Sequence, residues 1–296
     1  VTDKPFGPPT RREVLQGAAG VAAFALVGCD GLPLPWDLGA PEIGADLWQT
    51  LAAHVRVDAA GTLGGRVNLF NPAAVPQRVV LQAFTMGGIL VAKEVVSEAF
   101  GPEESAHVEF DEFLARNEVP LPFEGSFWVG TMPESGDVFM GLQGIVFDWY
   151  GPAHQASVHG MRDFGNSNGD SSWTDLVLPK VVNTDRFVTK IAIVNATGDG
   201  VAEALVARPR VIVRDDDGDE LVNTELDPLQ PYASVLFAVS DLPGGADIRT
   251  GTVQILEPEA GLVAYAFVTD RENDGFASAD HFFDRHFVVH GTGFTG

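Results

Sequence analysis

Two short runs, VNLFNP at residues 67–72 and IAIVNA at 191–196, stand 124 residues apart, and each carries an asparagine in the same place, Asn71 or Asn195. The features around them repeat in the same order. Upstream, HVRVDAAGTLGGRVNLFN lies on LPKVVNTDRFVTKIAIVN without a gap. Downstream, Gly87 in FTMGGILV falls against Gly218 in RDDDGDELV after a seven-residue insertion. SAHVEFDEFL then lies against SVLFAVSDL, and GSFWVGTMPESGDVFMGLQGIVFD against GTVQILEPEAGLVAYAFVTD, which align Asp148 with Asp270. Self-similarity at a fixed offset means one structural unit used twice, so any fold for this chain must close on itself within about 110 residues and do so again.

Each copy reads as strands. Val79-Val80-Leu81 and Val211-Ile212-Val213 are short apolar runs rich in β-branched residues. Asp217-Gly218 is a strong hairpin signal and Gly87-Gly88 a weaker one. Turn residues recur every 8–12 positions, at Asn71-Pro72, Gly87-Gly88, Gly101-Pro102, Pro120 to Pro122 and Pro133 to Gly136. Long helical periodicity is absent, and Phe110 to Leu114 reads as a single helical turn at a strand end. The expected fold is all-β: two tandem antiparallel β-sandwich (Ig-like) modules of roughly seven strands each, over 47–150 and 176–296, with 151–175 as a linker rich in Gly, Ser, Asn and Asp. In GLVAYAFVTD, Leu262, Ala264, Ala266 and Val268 share one strand face while Val263, Tyr265 and Phe267 share the other. Both faces are apolar, as expected of a strand covered on two sides or crossing a contact between modules.

The N-terminal region reads as an address. Arg11 and Arg12 precede twelve uncharged residues, Gly17 to Gly28, which end at Cys29, the only cysteine. That stretch is too short to span a bilayer, which takes about 20 apolar residues, and has the length of a signal-peptide core. Thr10-Arg11-Arg12-Glu13-Val14-Leu15 resembles a twin-arginine export signal, and Leu26-Val27-Gly28-Cys29 resembles a lipobox. The resemblance implies that residues 1–28 are removed, that Cys29 is lipidated, and that the body folds before export. It then hangs from the outer face of a membrane. Residues 29–46, with Pro33, Pro35 and Pro41, read as a flexible tether.

The pieces VNLFNP, DDDGDE and AYAFVTD resemble those of tandem β-sandwich modules in bacterial secreted lipoproteins, over residues 51–150 and 176–283. The first copy departs at the last piece, reading LQGIVFD. The resemblance brings no catalytic residue with it.

Charge narrows the partners. The net charge is −23. Without residues 1–28, which hold Lys4, Arg11, Arg12, Asp3 and Glu13, 15 basic residues face 39 acidic ones, a balance of −24. Such a body repels nucleic acid and anionic lipid headgroups.

Candidate sites are few. Asp270, Glu272, Asp274 and Gly275 have the acid-x-acid-x-acid-Gly spacing of a calcium loop, and Ser278 falls at its ninth position. The twelfth is His281, where a bidentate glutamate belongs, and the neighbouring Asp280 is the available substitute. Calcium is the cofactor this spacing points to. Asp163, Asn166, Asn168 and Asp170 form a second oxygen-rich loop, and Asp215, Asp216, Asp217 and Asp219 an acidic hairpin tip. His281, His286 and His290 are spaced for a metal only on a helix, and Val288-Val289 favours a strand. Trp128 and Trp149, with Phe127, are the candidates for a sugar-stacking platform. No G-x-S-x-G elbow, phosphate-binding glycine loop or H-E-x-x-H occurs, and Asp148 and Asp270 read as matched fold positions. The leading expectation is a non-enzymatic, lipid-anchored envelope protein with an adhesive or scaffolding role and a partner on the envelope. The alternatives are a polysaccharide- or small-ligand-binding module supported by calcium, and a hydrolase.

Overall fold

The computed structural model describes residues 48–133, 144–162, 175–196, 205–257 and 261–284. Arg11, Arg12, Cys29, the tether, the loop from Asp163 to Asp170, and His286 and His290 lie outside the described residues.

The first copy contains β1 (Trp48–Val57), β2 (Gly64–Phe70), β3 (Gln77–Thr85), β4 (Leu90–Phe100), β5 (Ser105–Glu109), α1 (Phe110–Arg116), β6 (Phe123–Pro133), β7 (Ile145–Tyr150), β8 (Gln155–His159) and β9 (Met161–Arg162). The second contains β10 (Asp175–Val182), β11 (Phe187–Asn195), β12 (Arg210–Arg214), β13 (Glu220–Glu225), β14 (Ser234–Ala238), β15 (Thr250–Leu256), β16 (Leu262–Asp270), β17 (Phe276–His281) and β18 (Phe283–Asp284). Two sheets, β4-β3-β6-β1-β9 and β5-β2-β7-β8, make the first sandwich. The sheets β13-β12-β15-β10-β18 and β14-β11-β16-β17 make the second. Every strand of the second copy has the position of the strand nine places earlier, and all pairings are antiparallel. The protein is an all-β chain built twice from one antiparallel sandwich.

The repeated asparagine has a physical reason. Asn71 and Asn195 are fully buried, where an amide must find partners for its own donors and acceptor. Asn71 Nδ2 donates to the carbonyls of Val75 and Phe100, and Asn195 Nδ2 to those of Leu205 and Leu229. The backbone repeats the theme: Glu103 N donates to the Asn71 carbonyl and Tyr232 N to the Asn195 carbonyl. Glu103 and Tyr232 both adopt left-handed φ, 57° and 63°. Each asparagine thus anchors the crossover that leaves its sheet. At the hairpins, Gly218 (φ 87°) closes β12–β13 as expected, and in β3–β4 the equivalent turn residue is Gly88 (φ 81°) rather than Gly87.

The first core collects Val67, Leu69, Leu81, Ala83, Phe127, Val129, Ile145 and Phe147. α1 closes it at one end, packing Phe110 (tilted) and Phe113 (edge-on) against Phe127 at centroid distances of 4.4 and 4.9 Å. In the second copy the corresponding stretch is only a 3-10 turn, Val239–Asp241.

Two sequence expectations are corrected here. β8 and β9 fall inside the segment read as linker; β8 pairs with β7 and β9 with β1, so the first sandwich runs on to Arg162. The small polar residues of that segment masked its alternation. Second, Asp148 and Asp270 are not equivalent. Asp148 lies opposite Arg66, five residues before Asn71, whereas Asp270 lies opposite Phe187, eight residues before Asn195. The position equivalent to Asp148 is Phe267, opposite Lys190.

Candidate functional site at the module junction

β16 separates two cores. Leu262, Ala264 and Ala266 join Ile191 and Ile193 inside the second sandwich. The opposite face, Val263, Tyr265 and Phe267, joins Ala192 and Val194 in one apolar cluster with Leu51, Phe84, Trp128 and Trp149 of the first copy. The double-sided pattern read in GLVAYAFVTD is therefore a module contact, with Val268 only half-buried.

The seam is also stitched by directional bonds. Tyr265 donates its hydroxyl to the Leu51 carbonyl at 2.6 Å. Ser234 N donates to the Met86 carbonyl at 2.9 Å. Tyr232 stacks on Phe84 at 5.0 Å and meets Trp128 edge-on at 5.8 Å. Trp149 meets Phe267 edge-on at 5.1 Å.

Trp128 and Trp149, the expected sugar platform, are 0% and 1% exposed. Their indole N–H groups donate to Ser126 Oγ and the His54 carbonyl. A stacking platform needs an open aromatic face, and both faces here are spent on packing, so that reading of the two tryptophans is corrected.

At the edge of the seam lies a small group whose His54, Arg56 and Lys190 the sequence did not single out. His54, on β1 beside a bulge, is 1% exposed. Neither of its ring nitrogens has a hydrogen-bond partner. Phe267 and Phe276 approach it edge-on at 6.1 and 6.0 Å, and Glu124 Oε1 lies 3.7 Å from Nε2. Burial pushes its pKa down to about 3, with Lys190 and Arg56 adding to the effect and Asp274 opposing it. Above it, Asp274 is held from both copies: Arg56 Nη1 reaches one carboxylate oxygen and Lys190 Nζ the other, each at 2.5 Å. Burial favours protonation of Asp274, but the hydrogen bond and charge of Lys190, then those of Arg56, hold its pKa below the usual carboxylate range. His54, Arg56, Trp149, Lys190, Asp274 and Phe276 line a cleft with a free volume of about 20 Å³, room for about one water.

A second clamp lies nearby. Asp270, fully buried, accepts from His154 Nε2 of the first copy at 3.0 Å and from Arg186 at 3.1 and 3.2 Å. Its pKa falls to about 2, chiefly through His154, then the Glu272 backbone N–H and Arg186.

These contacts already engage two carboxylates of the calcium reading. Asp270 and Asp274 already take guanidinium, ammonium and imidazole groups, which supply the positive charge a calcium ion would bring. Asp280 Oδ1 accepts from the next backbone N–H, that of His281. Glu272 contributes a backbone N–H to Asp270. Among the described residues no three His, Cys, Asp or Glu side chains converge as a metal site. In the acidic hairpin the Asp215 carboxylate accepts from Asp217 N and Asp219 N, and that of Asp216 from Thr250 Oγ1.

Asp148, the other carboxylate singled out, sits on the outward face of β7. It accepts from Ser157 Oγ at 2.6 Å, Asn68 Nδ2 at 2.8 Å and Arg66 Nε at 2.9 Å. Burial raises its pKa, and the three donors together outweigh that and leave it lowered. It is a structural counter-charge.

No helix of the described residues is long and apolar enough to cross a membrane. No protein-family model and no curated protein matches the chain. Among solved structures, a glycosyl hydrolase family 2 member from Bacteroides cellulosilyticus DSM 14838 is 11% identical with a TM-score of 0.19, over 78% of this chain and 27% of that one. A putative beta-galactosidase from Bacteroides fragilis is 9% identical with a TM-score of 0.19, over 77% and 31%. A Parabacteroides merdae beta-glucuronidase is 12% identical with a TM-score of 0.20, over 79% and 27%. The chain spans less than a third of each, and likenesses this slight carry no argument about activity.

Proposed function

We propose that this chain is a non-enzymatic, lipid-anchored protein of the cell envelope that acts as a two-module spacer or scaffold, exported by the twin-arginine route and held at the membrane through Cys29. What supports the reading is the use of its reactive-type side chains. Asp270, Asp274, His154, Arg56, Arg186 and Lys190 are joined to one another in the clamps between and beside the modules. Trp128 and Trp149 are packing residues. A body so joined transmits position and orientation, which suits holding a partner at a set distance from a membrane. The acidic surface favours a partner that is not itself polyanionic.

Two measurements test it. Metabolic labelling with a fatty-acid analogue should mark the wild-type chain and not Cys29→Ser, which should also leave the membrane fraction. Label-free wild type would overturn the anchor. A glycan array run with and without chelator should show no binding, and substrate screening of the full chain no turnover. Saturable glycan binding or a defined turnover would replace the scaffold by the binding-module or hydrolase reading.

A further inference from the structure

We propose that His159 and His281 form a two-histidine site for a divalent transition ion of the zinc class, a metal bridge between the two modules. The two residues hold the same place in the two copies. His159 lies opposite Val146 and His281 opposite Tyr265. Val146 and Tyr265 are themselves equivalents, facing Asn68 and Ala192, which stand three residues before the repeated asparagines. β8 and β17 are edge strands of different sheets, one from each module, and the junction lays them side by side. The imidazole rings meet there with centroids 4.5 Å apart and planes at 67°.

The chemistry of the pair suits ligation. His281 Nδ1 lies 3.2 Å from the Phe282 carbonyl. A carbonyl only accepts, so this bond puts the proton on Nδ1 and the lone pair on Nε2. A backbone carbonyl that fixes the tautomer in this way is the usual support of a metal-bound imidazole. His159 is solvent-exposed, so an ion can reach it. Ligation asks each ring to turn about χ2, a soft torsion, until both nitrogens lie about 2.0–2.1 Å from the ion. Two imidazoles from the protein and solvent in the remaining positions make an open site, and imidazole ligands select zinc, copper or nickel over calcium and magnesium.

The test is calorimetric titration of the full chain with zinc chloride at neutral pH, read alongside the nitrogen-15 shifts of the histidine rings. One equivalent should bind, with shifts in His159 and His281. His159→Asn and His281→Asn should each weaken binding by about tenfold or more. His107→Asn, on β5, should leave it unchanged. Zinc affinity that survives His159→Asn, ring shifts confined to other histidines, or no saturable binding would each overturn the site. Circular dichroism of the exposed His159 variant separates lost binding from lost fold.

Discussion

The outward faces of the two sandwiches share a backbone and differ in chemistry. In the first copy the face of β5-β2-β7-β8 carries Arg66, Asn68, Asp148 and Ser157, joined in one polar network. In the second, the strand pairings put Lys190, Ala192, Phe267 and Ala279 at those positions; the first module covers the last three, and Lys190 at the edge reaches Asp274. The other sheets show the reverse. Leu51, Phe84 and Trp128 of the first copy are buried in the seam. Their counterparts are Val177, Arg214 and Gln254, and there Arg214 donates to Gln254 and Gln254 to Asp175. One face of each copy has been made apolar, and it is the face that meets the other copy. The remaining face of each has been made polar, as in the terminal units of a stacked repeat. The fold needs only the sandwich cores and the anchoring asparagines. Which modules touch is decided by a few side chains on the far side of the same strands.

This contrast can be broken by substitution on either side of the seam. Phe267→Ala removes a ring at the centre of the seam and should cost about 3–5 kcal/mol in denaturant unfolding. The Ser157→Ala change, at the position that pairs with the Phe267 counterpart Asp148, should cost about 1 kcal/mol. Equal costs would mean that the seam is no more than ordinary surface.

Acid should act through His54. Its pKa is about 3 when folded against an ordinary 6.5, so between those values the unfolded chain takes up a proton that the folded one refuses. Stability is therefore full above about pH 6.5 and falls as the pH drops towards 3, by on the order of 4 kcal/mol from this residue. His54→Phe should flatten that slope in unfolding curves taken across the range.

Asn71→Ala and Asn195→Ala should each cost about 1–3 kcal/mol, because each leaves one buried and one part-buried carbonyl short of a donor. A cost confined to one of them would break the equivalence of the copies. Smallest, Arg56→Ala should cost about 0–1 kcal/mol, since both it and Asp274 are over two-fifths exposed.

Much of the fold was legible because it rests on local chemistry. The hairpin at Asp217-Gly218, the helical turn at Phe110 and the order of features in both copies follow from turn residues and apolar runs. The seam was half legible: Val263, Tyr265 and Phe267 alternate with core residues, which signals a strand covered on both sides but not by what. Trp128 illustrates the limit, since an aromatic on a strand reads alike whether it faces a sugar or a second module. His54, Arg56, His154 and Lys190 carry no sequence signature, because their partners lie far along the chain, at separations such as 218 residues for Arg56 and Asp274 and 84 for Lys190 and Asp274. The register of β7 against β16 misled for a further reason. A shared aspartate after an apolar run aligns well in sequence, although Asp148 and Asp270 sit three positions apart in the sheets.

The most direct measurement is differential scanning calorimetry of the full chain, with the calorimetric enthalpy compared with the van't Hoff enthalpy. If the seam joins the modules into one unit, a single transition should appear with the two enthalpies equal, and Phe267→Ala should split it or lower it as a whole. Two independent transitions in the wild type, with only one of them moved by Phe267→Ala, would contradict it.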